Sequence, residues 1–222
     1  MLGVLDIGLS NIGSLESALK NLNTKFKYCL NPDDFSNITK IILPGVGNFK
    51  KCMEKLVSKN LDKAILNFSK NNKSLLGICL GYQILFEGSE EGNESKGLAL
   101  AQGNFINLNE IEKNLKTPHA GWNECKVLKS NKLFEGINNN SDFYFTHSYV
   151  LKNFDKNDVI SVTDYTFDFV SSIQKRNIFG VQFHPEKSQA NGLKILKNFI
   201  DFCWMLKKRL IISLTFKDGI LF

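Results

Sequence analysis

Ser74-Leu75-Leu76-Gly77-Ile78-Cys79-Leu80-Gly81-Tyr82-Gln83-Ile84-Leu85-Phe86 reads as a buried strand, a sharp turn and the start of a helix. A cysteine at the apex of such a turn carries a strained backbone. Glycines two residues to either side, Gly77 and Gly81, suit neighbours that approach too closely to admit a Cβ. At the head of the helix the dipole and free N–H groups favour a thiolate, and the Leu80 N–H can donate to a developing oxyanion. Five residues alone leave open a structural cysteine packed between two glycines.

Outward from this turn, short apolar runs bounded by turn residues recur at Gly3–Ile7, Lys40–Leu43, Leu75–Cys79, Asp142–Phe145, Val159–Thr163 and Ile178–Phe183, and predict strands. Helical patterns at Ile12–Asn21 (behind the cap Asn11), Phe49–Ser58 and Asp62–Lys70 separate the early ones. Strand alternating with helix predicts an α/β fold whose parallel sheet is covered on both faces. From about Leu98 to Phe183 the strands crowd together, which predicts an antiparallel or mixed extension. A helix over Asn191–Leu206 closes the body, and Glu87–Gly97 reads as a surface loop. At 222 residues, one domain is expected.

Composition narrows the function classes. Hydrophobic content of 43% and charged content of 23% suit a soluble globular protein, and no run of about 18 apolar residues is present to cross a membrane. The start, MLGVLDIG, lacks the basic region of a signal peptide and reaches Asp6 early, so a cytoplasmic location is expected. The net charge is +6, but Lys207, Lys208, Arg209 and Lys217 against Asp218 concentrate half of it near the C-terminus. No basic stripe interleaves with aromatics, so nucleic-acid binding is not expected. Five cysteines (Cys29, Cys52, Cys79, Cys125, Cys203) without a CxxC pair, beside three histidines, fit neither a disulfide framework nor a zinc site. No metal or cofactor is expected.

Val181-Gln182-Phe183-His184-Pro185-Glu186 places a histidine just after a strand. With Pro185 restricting the backbone, His184 and Glu186 can turn to one cleft, Glu186 accepting from one ring nitrogen while the other faces a thiol. Cys79, His184 and Glu186 then form a catalytic triad for acyl transfer. His147 competes for the role of base, and only the neighbouring Pro185 and Glu186 favour His184.

Together the two motifs closely resemble those of class I glutamine amidotransferases. Asp6-Ile7-Gly8, Pro44-Gly45-Val46-Gly47-Asn48-Phe49, Pro118-His119-Ala120-Gly121-Trp122-Asn123 and Tyr144-Phe145-Thr146-His147-Ser148-Tyr149 narrow the likeness to glutaminase subunits of imidazole glycerol phosphate synthases. The resemblance runs from residue 6 to residue 199 and implies a three-layer sandwich, with a mostly parallel central sheet and an antiparallel extension. It implies oxyanion donors from Val46 and Gly47 beside Leu80, on a strand whose peptide must flip. It further implies substrate contacts from Gly45, Gln83, Ser148 and Tyr149, with glutamine as substrate. A docking face comprising Asn11, Trp122, Asn123, Tyr144 and Lys187 would meet a (β/α)8-barrel cyclase as a heterodimer. Ala120 stands where that pattern has a larger apolar residue.

On this reading residues 1–204 form the amidotransferase domain, and residues 205–222 resemble the first strand of the cyclase, expected to be poorly ordered. Thr215 replaces an Asp of the histidine-pathway cyclase, so amidation of a surface sugar stands as an alternative use of the ammonia. A cysteine hydrolase of γ-glutamyl substrates shares the nucleophile turn and the histidine but leaves the docking segment unexplained.

Overall fold

A computed structural model describes residues 1–9, 12–92 and 94–201, together with the backbone of 216–217 and 220–221. The first half alternates strand and helix as the sequence predicts, except that it adds a second strand that the apolar runs do not mark: β1 (Leu2–Leu5), α1 (Ile12–Asn21), β2 (Phe26–Cys29), β3 (Lys40–Leu43), α2 (Phe49–Ser58), α3 (Leu61–Lys70), β4 (Ser74–Ile78) and α4 (Leu80–Gln83). The second half is dominated by strands: β5 (Gly88–Ser89), β6 (Ser95–Lys96), β7 (Asn104–Asn107), β8 (His119–Val127), β9 (Ser141–His147), β10 (Tyr149–Lys152), β11 (Val159–Asp164), β12 (Asp168–Lys175) and β13 (Ile178–Val181). A short helix, α5 (Leu108–Ile111), interrupts them, and α6 (Gln189–Asp201) follows.

Nine strands form one sheet in the order β2-β1-β3-β4-β13-β12-β11-β8-β9. The pairs from β2 across to β13 are parallel, and those from β13 outward to β9 are antiparallel. The expected parallel core with an antiparallel extension is therefore present. Side chains alternate across it: Ile41, Leu43 and Leu75 join the core beneath α2 and α3, whereas Ile42, Leu76 and Ile78 join the core beneath α1 and α6. Burial on both faces explains why these strands read as continuous apolar runs.

A second sheet, ordered β10-β7-β5-β6, was not foreseen. Two of its strands lie inside Glu87–Gly97, which the sequence predicts as a loop. There Gly88 and Ser89 pair in parallel with Asn104 and Phe105, so backbone partners distant in sequence impose strand geometry on a polar segment. β8 was likewise missed, since only His119 and Cys125 among its nine residues are buried. Helix α6 begins two residues before its expected start, and its expected end at Leu206 lies outside the described residues. So does the 204/205 domain boundary. Of the tail, only the antiparallel backbone pairing of Phe216–Lys217 with Ile220–Leu221 is described, and the expected disorder of 205–222 otherwise falls outside.

Candidate active site

The nucleophile turn has the predicted form. β4 ends at Ile78, Cys79 follows with φ 53° and ψ −109°, and α4 starts at Leu80. A positive φ costs a non-glycine residue of order 1–3 kcal/mol, and it persists here because the surroundings leave no alternative. The Cys79 N–H donates to the Val181 carbonyl at 2.9 Å, continuing the β4–β13 pairing up to the apex. A Cβ on Gly81 would lie 1.7 Å from the Leu43 carbonyl oxygen, and one on Gly77 2.4 Å from the Gly81 oxygen. Only glycine fits at either position.

β13 delivers the other two members of the triad. Its continuation carries His184, whose N–H donates to the Tyr144 carbonyl at 2.8 Å, and a 3-10 turn over Pro185–Lys187 brings Glu186 back beneath the ring. His184 Nδ1 lies 2.7 Å from Glu186 Oε1, with the side chains only 2% and 7% exposed. Burial alone would pull the imidazole pKa down, but the Cys79 sulfur and the Glu186 carboxylate outweigh it and push the value up to about 10. His184 Nε2 has no hydrogen-bond partner among the described residues.

The Cys79 thiol donates to the Thr146 carbonyl at 3.7 Å. From the other side Gln182 Nε2 donates to the sulfur at 3.8 Å, while Gln182 Oε1 accepts from Gln83 Nε2 at 3.2 Å. Sequence reasoning missed Gln182. Its signal was a polar residue inside the otherwise apolar run Ile178–Phe183, and its side chain is buried.

His147 is not placed as a base. Its Nδ1 lies 2.9 Å from the Tyr149 carbonyl and its Nε2 3.0 Å from His119 Nδ1, and burial pulls its pKa down to about 3.

A cleft of about 250 Å³ opens over Cys79 and brings together Val46, Gly47, Leu80, Gln83, Ser148 and Tyr149. Gly45 does not line it. Instead its carbonyl accepts from the Leu80 N–H at 3.3 Å, and the Val46 N–H donates to the Leu9 carbonyl at 2.9 Å. Two of the expected oxyanion donors are therefore engaged elsewhere. Glu91 was missed by the sequence reading and contributes the cleft's one carboxylate among the described residues; its Oε2 accepts from the Phe49 N–H at 2.8 Å. The signal available was an acidic residue in the Glu87–Gly97 segment. Larger hollows of about 720, 540 and 340 Å³ lie away from the triad, at the Val127–Asn139 segment, beside α2 and α3, and between α3 and Pro32–Phe35, while one of about 550 Å³ between α1 and the start of α6 borders Glu186.

Trp122 is 48% exposed, which excludes a core tryptophan. Its ring meets that of Tyr144 edge-on at 6.0 Å, and the Lys187 ammonium sits 5.6 Å from the Tyr144 centroid. Three of the expected docking residues thus form one surface cluster. Asn123, one residue along β8, turns its amide to His119 and the Asp164 carbonyl. Asn11 lies outside the described residues. Among those described, no helix is long and apolar enough to cross a membrane.

The profile of the family described as "Glutamine amidotransferase class-I" matches residues 3–202. Imidazole glycerol phosphate synthase subunit HisH of Methanocaldococcus jannaschii is 45% identical over 201 residues, covering 90% of this chain and 99% of the relative. The protein of the same name from Pyrococcus furiosus is 43% identical over 199 residues, covering 89% and 97%. Among solved structures, PurLQS from Thermotoga maritima superposes with a TM-score of 0.71 at 17% identity, covering 90% of this chain and 96% of that one. A glutamine amidotransferase from the same organism gives 0.59 at 16%, covering 90% and 82%. Those two show the fold alone, whereas the profile and the curated relatives extend over nearly all of the described body: the chain belongs to the class-I glutamine amidotransferase family.

Proposed function

We propose that this chain is the glutaminase subunit of an imidazole glycerol phosphate synthase, releasing ammonia from glutamine in the cytoplasm for a barrel-shaped cyclase partner in histidine biosynthesis. The observation that carries the chemistry is the buried His184–Glu186 pair acting on the Cys79 sulfur at the apex of the strained turn. The two HisH relatives support the pathway.

In this mechanism the Cys79 thiol proton passes to His184 Nε2 as the sulfur attacks the side-chain carboxamide carbon of glutamine, and a tetrahedral oxyanion forms. His184 passes a proton to the amide nitrogen as the C–N bond breaks, which frees ammonia and leaves a γ-glutamyl thioester. The neutral ring then takes a proton from water. Hydroxide adds to the thioester carbon, and the C–S bond breaks to give glutamate and the free sulfur. Glu186 holds Nδ1 protonated, so that Nε2 is the nitrogen that exchanges the proton with substrate. Glu91 supplies a carboxylate for the α-ammonium group, and Gln83, Ser148 and Tyr149 border the rest of the amino-acid end. Val46, Gly47 and Leu80 are the oxyanion donors once the Gly45–Val46 peptide turns over. Trp122, Tyr144, Asn123 and Lys187, with Asn11, form the face for the cyclase, where an indole offers a large contact area.

A single exchange tests this reading. In the assembled complex Cys79→Ala is expected to abolish product formation from glutamine while ammonium salts still support it. Glutamine-dependent turnover surviving the substitution would overturn the role of Cys79, and no turnover with either nitrogen source in the wild-type complex would overturn the pathway.

A further inference from the structure

Behind the cleft wall runs a chain of side-chain hydrogen bonds whose proton positions are all determined. The Tyr149 carbonyl can only accept, so His147 Nδ1, 2.9 Å away, must carry the proton. In the neutral ring His147 Nε2 is then an acceptor, and His119 Nδ1 at 3.0 Å must donate to it. That leaves His119 Nε2 as an acceptor, facing Asn123 Nδ2 at 3.3 Å. The amide cannot be reversed. Asn123 Nδ2 also donates to the Asp164 carbonyl at 2.8 Å, and Asn123 Oδ1 accepts from the Glu124 N–H at 2.8 Å. Every donor points the same way, from Asn123 through both rings to Tyr149.

The rings themselves are held. His119 stacks between Tyr165 at 4.1 Å and Phe145 at 4.9 Å, and it is the direct register partner of His147 across β8 and β9. Its target matters because the chain leaves the nine-stranded sheet at His147 and enters the second sheet at Tyr149, with Ser148 between them. Thr146, His147, Ser148 and Tyr149 all line the cleft, so this corner is one of its walls. Adding a proton to either ring would set a donor against a donor and break the chain.

We infer that His119 and Asn123 are positioning residues for the glutaminase reaction: they lock His147 as a neutral Nδ1–H tautomer, which fixes the Ser148–Tyr149 wall against the substrate's amino-acid end. The inference rests on the reading that this cleft takes glutamine.

With three histidines in the chain, the imidazole nitrogens can be assigned completely by 15N NMR. His119 and His147 are expected to show neutral Nδ1–H tautomers at pH 7, and an Nε2–H tautomer or a protonated ring at either position overturns the lock. For function, Cys79 is labelled in the full chain with a glutamine-like diazoketone and, separately, with iodoacetamide. His119→Phe is expected to slow the first about tenfold, the loss of roughly one buried hydrogen bond, and to leave the second unchanged. Asn123→Leu should act in the same direction, with His119→Asn, which keeps a donor near Nδ1, restoring part of the rate. Equal slowing of both reagents, or of neither, overturns the inference. A wild-type chain that iodoacetamide labels and the diazoketone does not would instead count against the glutaminase reading.

Discussion

The Leu80 N–H donates to the Gly45 carbonyl at 3.3 Å, so the N–H proposed as an oxyanion donor is bonded to the strand proposed to help it. Reversing the Gly45–Val46 peptide would remove the competing carbonyl and turn an N–H towards the cleft. Such a flip rotates ψ of Gly45 and φ of Val46, and Gly45, having no Cβ, has the freedom to accommodate its share of the change.

The isolated chain is therefore expected to hydrolyse glutamine slowly, and the cyclase complex with its own ligand bound to be faster by about 10²–10³, the usual worth of one oxyanion donor. Steady-state glutamate release with and without the partner measures this. Full activity of the isolated chain would show that the Leu80–Gly45 bond does not restrain the site.

Gln182 is expected to hold the Cys79 sulfur in its attacking position, because its Nε2 donates to the sulfur while Gln83 fixes the direction of the amide. Replacing it with Leu keeps the volume and removes the donor. At a fixed pH, iodoacetamide alkylation of Cys79 should then slow, and kcat should fall up to about tenfold, the worth of roughly one hydrogen bond. An unchanged alkylation rate would rule the role out.

Acid should weaken the fold before the carboxylates titrate. Burial holds His119 near 4 and His147 near 3, below the ordinary value of about 6.5. Between these limits the unfolded chain binds more protons. The stability from the neutral rings is thus complete above about pH 6.5 and is lost as pH falls towards 4. His184 does not offset this loss, since its raised pKa contributes stability that is complete below 6.5 and lost only as pH rises towards 10. From pH 7 to pH 5 the loss should be on the order of 2 kcal/mol per ring, read from urea unfolding midpoints. A flat profile over that interval contradicts the neutral pair.

Tyr82 supplies a stability test away from the chemistry. Its ring packs edge-on against Phe86 and Phe105, yet its hydroxyl is buried without a partner among the described residues. Tyr82→Phe should raise stability by about 1 kcal/mol, since an unsatisfied hydroxyl costs 1–3 kcal/mol to bury. A destabilised variant would mean the hydroxyl is hydrogen-bonded after all.

Local sequence determined the parts of this protein that depend on neighbours in the chain. Gly77, Cys79 and Gly81 made the turn legible because steric exclusion acts over a few residues. His184 and Glu186 were legible because only Pro185 separates them and restricts the backbone between them. The parallel half could be read because strands buried on both faces leave continuous apolar runs. Other features depended on tertiary structure: Gly88 pairs with Asn104, Gln182 reaches across to Cys79, and His119 is joined to His147 by the register of β8 and β9. None of these contacts leaves a periodic trace, because hydrogen bonds between distant segments are set by how the strands align. For the same reason only the folded arrangement decided that the Leu80 N–H is bonded to Gly45 and the Val46 N–H to Leu9.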